Sequence, residues 1–252
     1  MVNINLSGRR VLVTGASSGI GAAMCRSIVE CGGTVAMVAR RKERLDELAR
    51  ELGERAIGIC CDVTDLDALE AAVGEAARAL GGLDAIVAVA GRAMVGSIAT
   101  GSPQGWRDLI NLNLVAPLAT VRYGLTHFPD SGRRDVILVG STGAITPVPG
   151  VGIYAASKRG LRAAFDALRL ELAELGINVS LVMPGMFETE GLTGALDFNG
   201  EMIVPDAPMF AASSSGPAAP ETLTNTIAFM LGLPDGVCIN EVVMRPTGQL
   251  CP

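Results

Sequence analysis

Tyr154 and Lys158 stand four residues apart in the stretch Gly152–Leu161, GIYAASKRGL. The chain has only two tyrosines, and of its 20 basic residues only two, Lys42 and Lys158, are lysine. Four residues is about one helical turn, so on a helix the two side chains share a face. An ammonium is a compact point charge that tolerates desolvation, whereas a guanidinium is bulkier and suited to forked contacts. Such a pair can exchange a proton with a carbonyl or alcohol oxygen. A free phenol, with a pKa of about 10, is a reluctant proton partner near neutrality. Bringing it to about 7 takes roughly 4 kcal/mol, at about 1.36 kcal/mol per unit. One positive charge about 4 Å away supplies about that much at an effective dielectric of about 20. The expectation is that Lys158 tunes Tyr154 downwards. Taken alone, a tyrosine in such a position is more often a packed core residue, so the rest of the chain has to decide.

A second chemical feature lies near the start. TGASSGIG, Thr14–Gly21, sets Gly15, Gly19 and Gly21 at G-x-x-x-G-x-G spacing, after an apolar run and before a helical pattern. Glycines permit a tight turn and close backbone approach, and a helix N-terminus offers free N–H groups and the positive end of the dipole. Both suit a phosphate. With a strand before it and a helix after it, the loop reads as a dinucleotide site rather than a purely structural turn. The end of the next apolar run chooses between cofactors. An acid there accepts from ribose hydroxyls, whereas a cation meets a 2′-phosphate. The residues are Ala39, Arg40 and Arg41, with no acid before Glu43. A guanidinium grips a phosphate through paired charge-assisted bonds. NADP(H) is therefore the expected cofactor, and two surface arginines at a helix start are the plain alternative.

These groups need elements to hold them. Seven short apolar segments read as strands: RVLVTG, TVAMVAR, AIGICC, LDAIVAVA, DVILVGS, INVSLVMP and NEVVMRP. Between them run helical patterns over Gly19–Cys31, Lys42–Leu52, Leu66–Leu80, Pro103–Phe128, Gly152–Leu175 and Pro220–Leu231. Strands that are almost continuously apolar are buried on both faces, as in a parallel sheet. The alternation predicts an α/β fold, a doubly wound, Rossmann-type parallel sheet of about seven strands. At 252 residues, with 49% apolar and 18% charged, the expectation is one domain over 1–252. Residues 190–219 run without clear periodicity and include PDAPMFAASSSGPAAP, which is the expected substrate lid.

Composition excludes several classes. The net charge of −6 has no long like-charge run, so no nucleic-acid or anionic-membrane partner is expected. The six cysteines form no C-x-x-C pair and His127 is the only histidine, so neither a metal site nor a disulfide framework is indicated. MVNINLSGRR lacks the apolar core of a signal peptide. Val136–Ser157 carries no charge, but its glycines and prolines would break a helix in lipid. The expected location is cytoplasmic.

TGASSGIG, Ser141, YAASK and PGMFET, in this order and spacing, resemble the short-chain dehydrogenase/reductase family along essentially the whole chain. The resemblance implies an NADP-dependent oxidoreductase acting on a ketone or secondary alcohol, with Tyr154, Lys158, Ser141 and Asn113 as its catalytic group. Asn111, two residues before Asn113, is a competitor; the LNL context favours Asn113. Asn113 would hold a water relaying protons to Lys158, and Ser141 would bond the substrate oxygen. The implied cofactor contacts are Gly15, Ser17, Ser18, Gly19, Ile20 and Gly21 of the loop, then Arg40, Arg41, Asp62, Val63, Ala90 and Gly91. Tyr154, Lys158, Pro184, Gly185 and Thr189 complete them, and a homo-oligomer, dimer or tetramer, is implied as well. One departure is plain. The family commonly has Asn-Asn-Ala-Gly after the fourth strand, and this chain has Ala88-Val89-Ala90-Gly91, which removes an amide that would bridge strands. Tyr123, His127 and Trp106 read as packing residues. Two rivals stand beside the main reading. A β-ketoacyl carrier-protein reductase commonly has basic residues where Ser18 and Leu175 stand here. A cofactor-binding regulator without turnover would retain the fold, and the missing asparagines are its only support.

Overall fold

The computed structural model describes residues 4–146, 149–190, 196–197 and 216–249, the pair 196–197 by backbone alone. Most of the segment expected to form a lid, 191–195 and 198–215, lies outside the described residues. Among the described residues nine strands run in chain order: β1 Arg10–Thr14, β2 Thr34–Ala39, β3 Ala56–Cys60, β4 Ala85–Ala88, β5 Met94–Val95, β6 Asp135–Val139, β7 Asn178–Pro184, β8 Leu196–Asp197 and β9 Glu241–Met244. Seven of them form one sheet in the order β3-β2-β1-β4-β6-β7-β9, every pairing parallel. This is the expected doubly wound sheet. The order reverses between β1 and β4, and such a switch opens a crevice at the carboxyl ends of the strands. The short pair β5–β8 was not foreseen.

The side-chain alternation of the strands divides the core in two. Val11, Val13, Ala85, Val87, Ile137 and Val182 face one layer. It is closed by α1 Gly19–Glu30, α2 Lys42–Leu52 and α7 Pro220–Leu231. Leu12, Ile86, Ala88, Val136, Leu138 and Leu181 face the other. That layer is closed by α3 Leu66–Leu80, α5 Ala116–Gly124 and α6 Gly152–Ala173. Local chemistry fixes several helix ends. The Asp65 carboxylate accepts from the Ala68 N–H at 3.0 Å at the start of α3, and Gly81 ends it in the left-handed region.

The expected single helix Pro103–Phe128 is a correction. It divides into α4 Pro103–Ile110, a wide π turn over Asn111–Val115, α5 and a tight final turn, Leu125–His127. The Ala116 N–H reaches back to the Asn111 carbonyl, one residue further than an α-helix allows. The uncharged window Val136–Ser157 resolves into β6, a short turn at Thr142–Ala144 and the start of α6. Among the described residues no helix is long and apolar enough to cross a membrane, and no group of three or more His, Cys, Asp or Glu could hold a metal ion.

Candidate active site

β1 runs straight into the glycine loop, and α1 begins at Gly19 with Ser18 as its N-cap residue. Ser18 places no side-chain cap on the first N–H groups, and no acid lies in the first turn. That helix end therefore lies at the crevice without a side-chain cap from Ser18. Gly15 has φ +71°, and a Cβ there would stand 2.8 Å from the Cα of Ala90. Only glycine fits both the conformation and the approach of β1's end to β4's. Thr189 leans over the loop from the far side of the crevice: a Cβ on Gly19 would meet its Cβ at 3.0 Å. Gly185 is as tightly enclosed, by Gln249 and Arg245. The Met186 N–H donates to Gln249 Oε1 at 2.8 Å, which holds the turn after β7. Gln249 is a positioning residue that no motif pointed to.

At the missing asparagine the sheet has another answer. The Ala90 N–H donates to the Thr14 hydroxyl at 3.3 Å, so β1 and β4 remain bridged at this corner. Val89 packs against the α1–α2–α7 layer. A hydroxyl on one strand thus takes over a link that the expected amide would have made from the other.

Ser141 follows β6, and its Oγ accepts from the Gly143 N–H at 3.1 Å. Tyr154 and Lys158 project from the first turns of α6. The half-buried Tyr154 hydrogen-bonds Ser141 through its side chain and packs in a small apolar cluster with Trp106, Met94, Leu109 and Ile153. Lys158 is 5% exposed, and its Nζ donates to the Val139 carbonyl at 3.0 Å. Asn113, in the π turn, is fully buried, whereas its competitor Asn111 is exposed. The Asn113 amide clamps Arg92 from both directions: Oδ1 accepts from the Arg92 N–H and Nδ2 donates to the Arg92 carbonyl, both at 3.0 Å. Nδ2 also donates to Ser157 Oγ at 3.1 Å, and that hydroxyl donates to the Tyr154 carbonyl at 2.7 Å. Ser157 therefore ties the clamp to the helix that carries Tyr154. Asn113 Oδ1 and Lys158 Nζ converge on Gly91, where a Cβ would meet them at 3.0 and 3.3 Å.

The electrostatics correct one expectation. Burial holds the Tyr154 phenol above its ordinary value, and the hydrogen bond with Ser141 pulls the other way. Burial also lowers the Lys158 ammonium, to about 8. The reason is geometric. The phenol lies among packed side chains, and its desolvation outweighs the help it receives from Ser141.

The adenine end of the crevice is built from β2 and β3. Arg40 points outward, its side chain 70% exposed, and pairs with Asp62 at 3.6 Å. Asp62 Oδ1 also accepts from the Thr64 N–H and hydroxyl at 3.0 and 2.8 Å, and Val63 beside it is buried. Arg41 instead lies over the glycine loop. Its Nε and one terminal nitrogen donate to Ser17 Oγ at 3.1 and 3.0 Å, and that same nitrogen donates to Ser18 Oγ at 2.6 Å. Arg44, in the first turn of α2, joins it through Glu190. Sequence reading missed Arg44 and Glu190, although the spacing of Arg41 and Arg44 could have suggested a shared face. A cleft of about 490 Å³ opens here, lined among others by Ser17, Ser18, Gly19, Glu188, Thr189 and Glu190. Tyr123 packs in the α3–α5–α6 layer, away from this crevice.

A family model described as short chain dehydrogenase matches residues 9–197. An uncharacterized oxidoreductase of Mycobacterium tuberculosis is 36% identical over 188 residues, 72% of this chain and 74% of that one. A glycine betaine reductase of Emericella nidulans is 32% identical over 249 residues; these are 97% of this chain but only 19% of that much longer protein. Among solved structures, a short chain dehydrogenase from Burkholderia cenocepacia in complex with NADP superposes with a TM-score of 0.83 at 29% identity, covering 96% of this chain and 98% of that one.

Proposed function

The chain belongs to the short-chain dehydrogenase family, and from that premise we propose that it is an NADP(H)-dependent oxidoreductase interconverting a ketone and a secondary alcohol. One observation carries the reading. Ser141, Tyr154 and Lys158 gather beside Gly91 and Gly143, at the carboxyl ends of β4 and β6 next to the glycine loop.

The crevice fits a dinucleotide. Gly15 admits no side chain, and the uncapped start of α1 suits a pyrophosphate. Gly91 carries no side chain to crowd Asn113 Oδ1 and Lys158 Nζ, which a Cβ there would meet at 3.0 and 3.3 Å. Arg41, with Arg40 beside it, would meet a 2′-phosphate, and Lys158 would hold the nicotinamide ribose. NADP in the Burkholderia neighbour agrees with this choice. When bound, the nicotinamide supplies or accepts the hydride at the reacting carbon.

The chain's own residues manage the oxygen. In reduction, Tyr154 Oη–H gives its proton to the carbonyl oxygen while Ser141 bonds that same oxygen and stabilises the charge gathering there. The phenolate left behind is stabilised by the nearby Lys158 ammonium and by Ser141. A phenol held above its ordinary value is protonated at neutral pH, the form that donates in reduction. Asn113 keeps the Arg92 turn and α6 in register around this group.

Tyr154→Phe tests the assignment, because it removes the proton donor and leaves the crevice intact. Turnover of a ketone panel with NADPH is expected to fall at least about 10²-fold, with NADPH affinity within a few-fold of wild type by fluorescence titration. Reductase activity close to wild type in this variant would end the proposal.

A further inference from the structure

Glu190 stands where an anionic ligand would be expected. Its Oε2 pairs with Arg41 at 2.9 Å, and its Oε1 pairs with Arg44. The two guanidinium groups therefore share one carboxylate, each taking a different oxygen. Nothing local obliges the contact, since Glu190 lies 149 and 146 residues from its partners. Both arginines sit at the N-terminal end of α2, where a helix favours negative charge. All three side chains are about half exposed, so the pairs are open to exchange with a ligand. Arg26, which lines the same cleft, is already occupied by Glu51 through two hydrogen bonds of 2.6 and 2.7 Å.

We propose that Glu190 is an internal competitor for the 2′-phosphate of the cofactor, holding Arg41 and Arg44 until that phosphate displaces it. This rests on the NADP(H) reading above and deepens it. Two guanidinium groups and one carboxylate leave a net charge of about +1, which cannot balance a phosphate carrying about −2. With the carboxylate moved away, the two arginines balance the phosphate almost fully. Protonation offers no easier exit, because Arg41 and Arg44 hold the Glu190 carboxyl below its ordinary value. Glu190 thus lowers affinity for the phosphorylated cofactor and leaves NADH untouched, so it narrows the preference between them.

The test is calorimetric binding of 2′-AMP and 5′-AMP, with NADPH and NADH beside them, to wild type, Glu190→Gln and Glu188→Gln. Two half-exposed ion pairs correspond to about a 3- to 20-fold change in affinity. Glu190→Gln is expected to bind 2′-AMP and NADPH tighter by that factor and to leave 5′-AMP and NADH unchanged. Glu188→Gln removes a charge from the same cleft, and Glu188 forms no ion pair among the described residues; it should change 2′-AMP binding less than about twofold. Unchanged or weaker 2′-AMP binding in Glu190→Gln overturns the competition, as does an equal gain in both variants. If wild type and Glu190→Gln both fail to distinguish 2′-AMP from 5′-AMP, the NADP(H) reading falls and the competition falls with it. A wild type that prefers 2′-AMP while Glu190→Gln matches it overturns the competition alone.

Discussion

Burial lowers the Lys158 ammonium to about 8, whereas an unfolded chain holds a lysine near about 10.4. Below pH 8 both states carry the proton, and the folded state bears the full desolvation penalty, about 3 kcal/mol for a gap of this size. Between about 8 and 10.4 the folded chain is already neutral while the unfolded one is not, so the penalty shrinks as pH rises and then vanishes. Lys158→Met should therefore stabilise the protein at pH 7 by about 1–3 kcal/mol, once the unpaired Val139 carbonyl is allowed for. The gain should close towards pH 10, and ketone turnover should be lost. Urea denaturation at pH 7 and pH 10 checks the sign. A variant less stable than wild type at pH 7 would mean the ammonium is net stabilising. Tyr154 sits under a similar constraint, since burial moves its phenol away from neutrality.

At the scale of elements, the β1–β4 pair carries the crevice and is fastened at both ends. Thr14 and Ala90 close the carboxyl end. At the other end Asp84 Oδ2 accepts from the Arg10 N–H and Nε at 2.9 and 2.8 Å, and Oδ1 accepts from a terminal nitrogen at 2.7 Å. Burial pushes the Asp84 carboxyl up, but the hydrogen bonds and charge of Arg10 prevail and hold it below its ordinary value. Its contribution is therefore present above the unfolded value of about 3.9 and is lost as pH falls through the lower folded one. Asp84→Asn should destabilise by about 1–3 kcal/mol at pH 7, with the difference from wild type narrowing below about pH 4. Chemical denaturation across that range measures it, and a difference independent of pH would show that the charge is irrelevant. The π turn belongs to this scale too. It offsets the register between α4 and α5, and the fully buried Asn113 lies within it.

For the whole molecule, the loop after β1, the turn after β4 and the turn after β7 meet around one crevice, and each comes from a different part of the chain. A ligand bridging them binds only the folded state and must stabilise it. At about 100 times its dissociation constant, a cofactor adds about 2.7 kcal/mol, or roughly 5–10 °C in Tm for a chain of this size. NADPH is expected to give that shift, and NADH at equal concentration a smaller one. Equal shifts by thermal denaturation would remove the preference for the phosphorylated cofactor, and no shift with either would remove the cofactor reading.

The amino-acid pattern by itself determined that the seven strands of the main sheet exist and, to the residue, the bounds of three helices, Lys42–Leu52, Leu66–Leu80 and Pro220–Leu231. These depend on periodicity and on signals next to the elements they bound, such as Asp65 and Gly81 around α3 or Pro220 at the start of α7. The glycine loop and the Tyr154–Lys158 spacing were legible for the same reason, being written in neighbouring residues. Tertiary structure alone decided the rest. At the break in Pro103–Phe128, Asn113 turns inwards and bonds Arg92 and Ser157. The bridge from Thr14 to Ala90 and the grip of Arg41 and Arg44 on Glu190 join residues 76, 149 and 146 positions apart. The direction in which Tyr154 shifts depends on how much water the packed neighbours exclude. Desolvation and long-range pairing are properties of what surrounds a residue in space, and spacing along the chain carries no record of them.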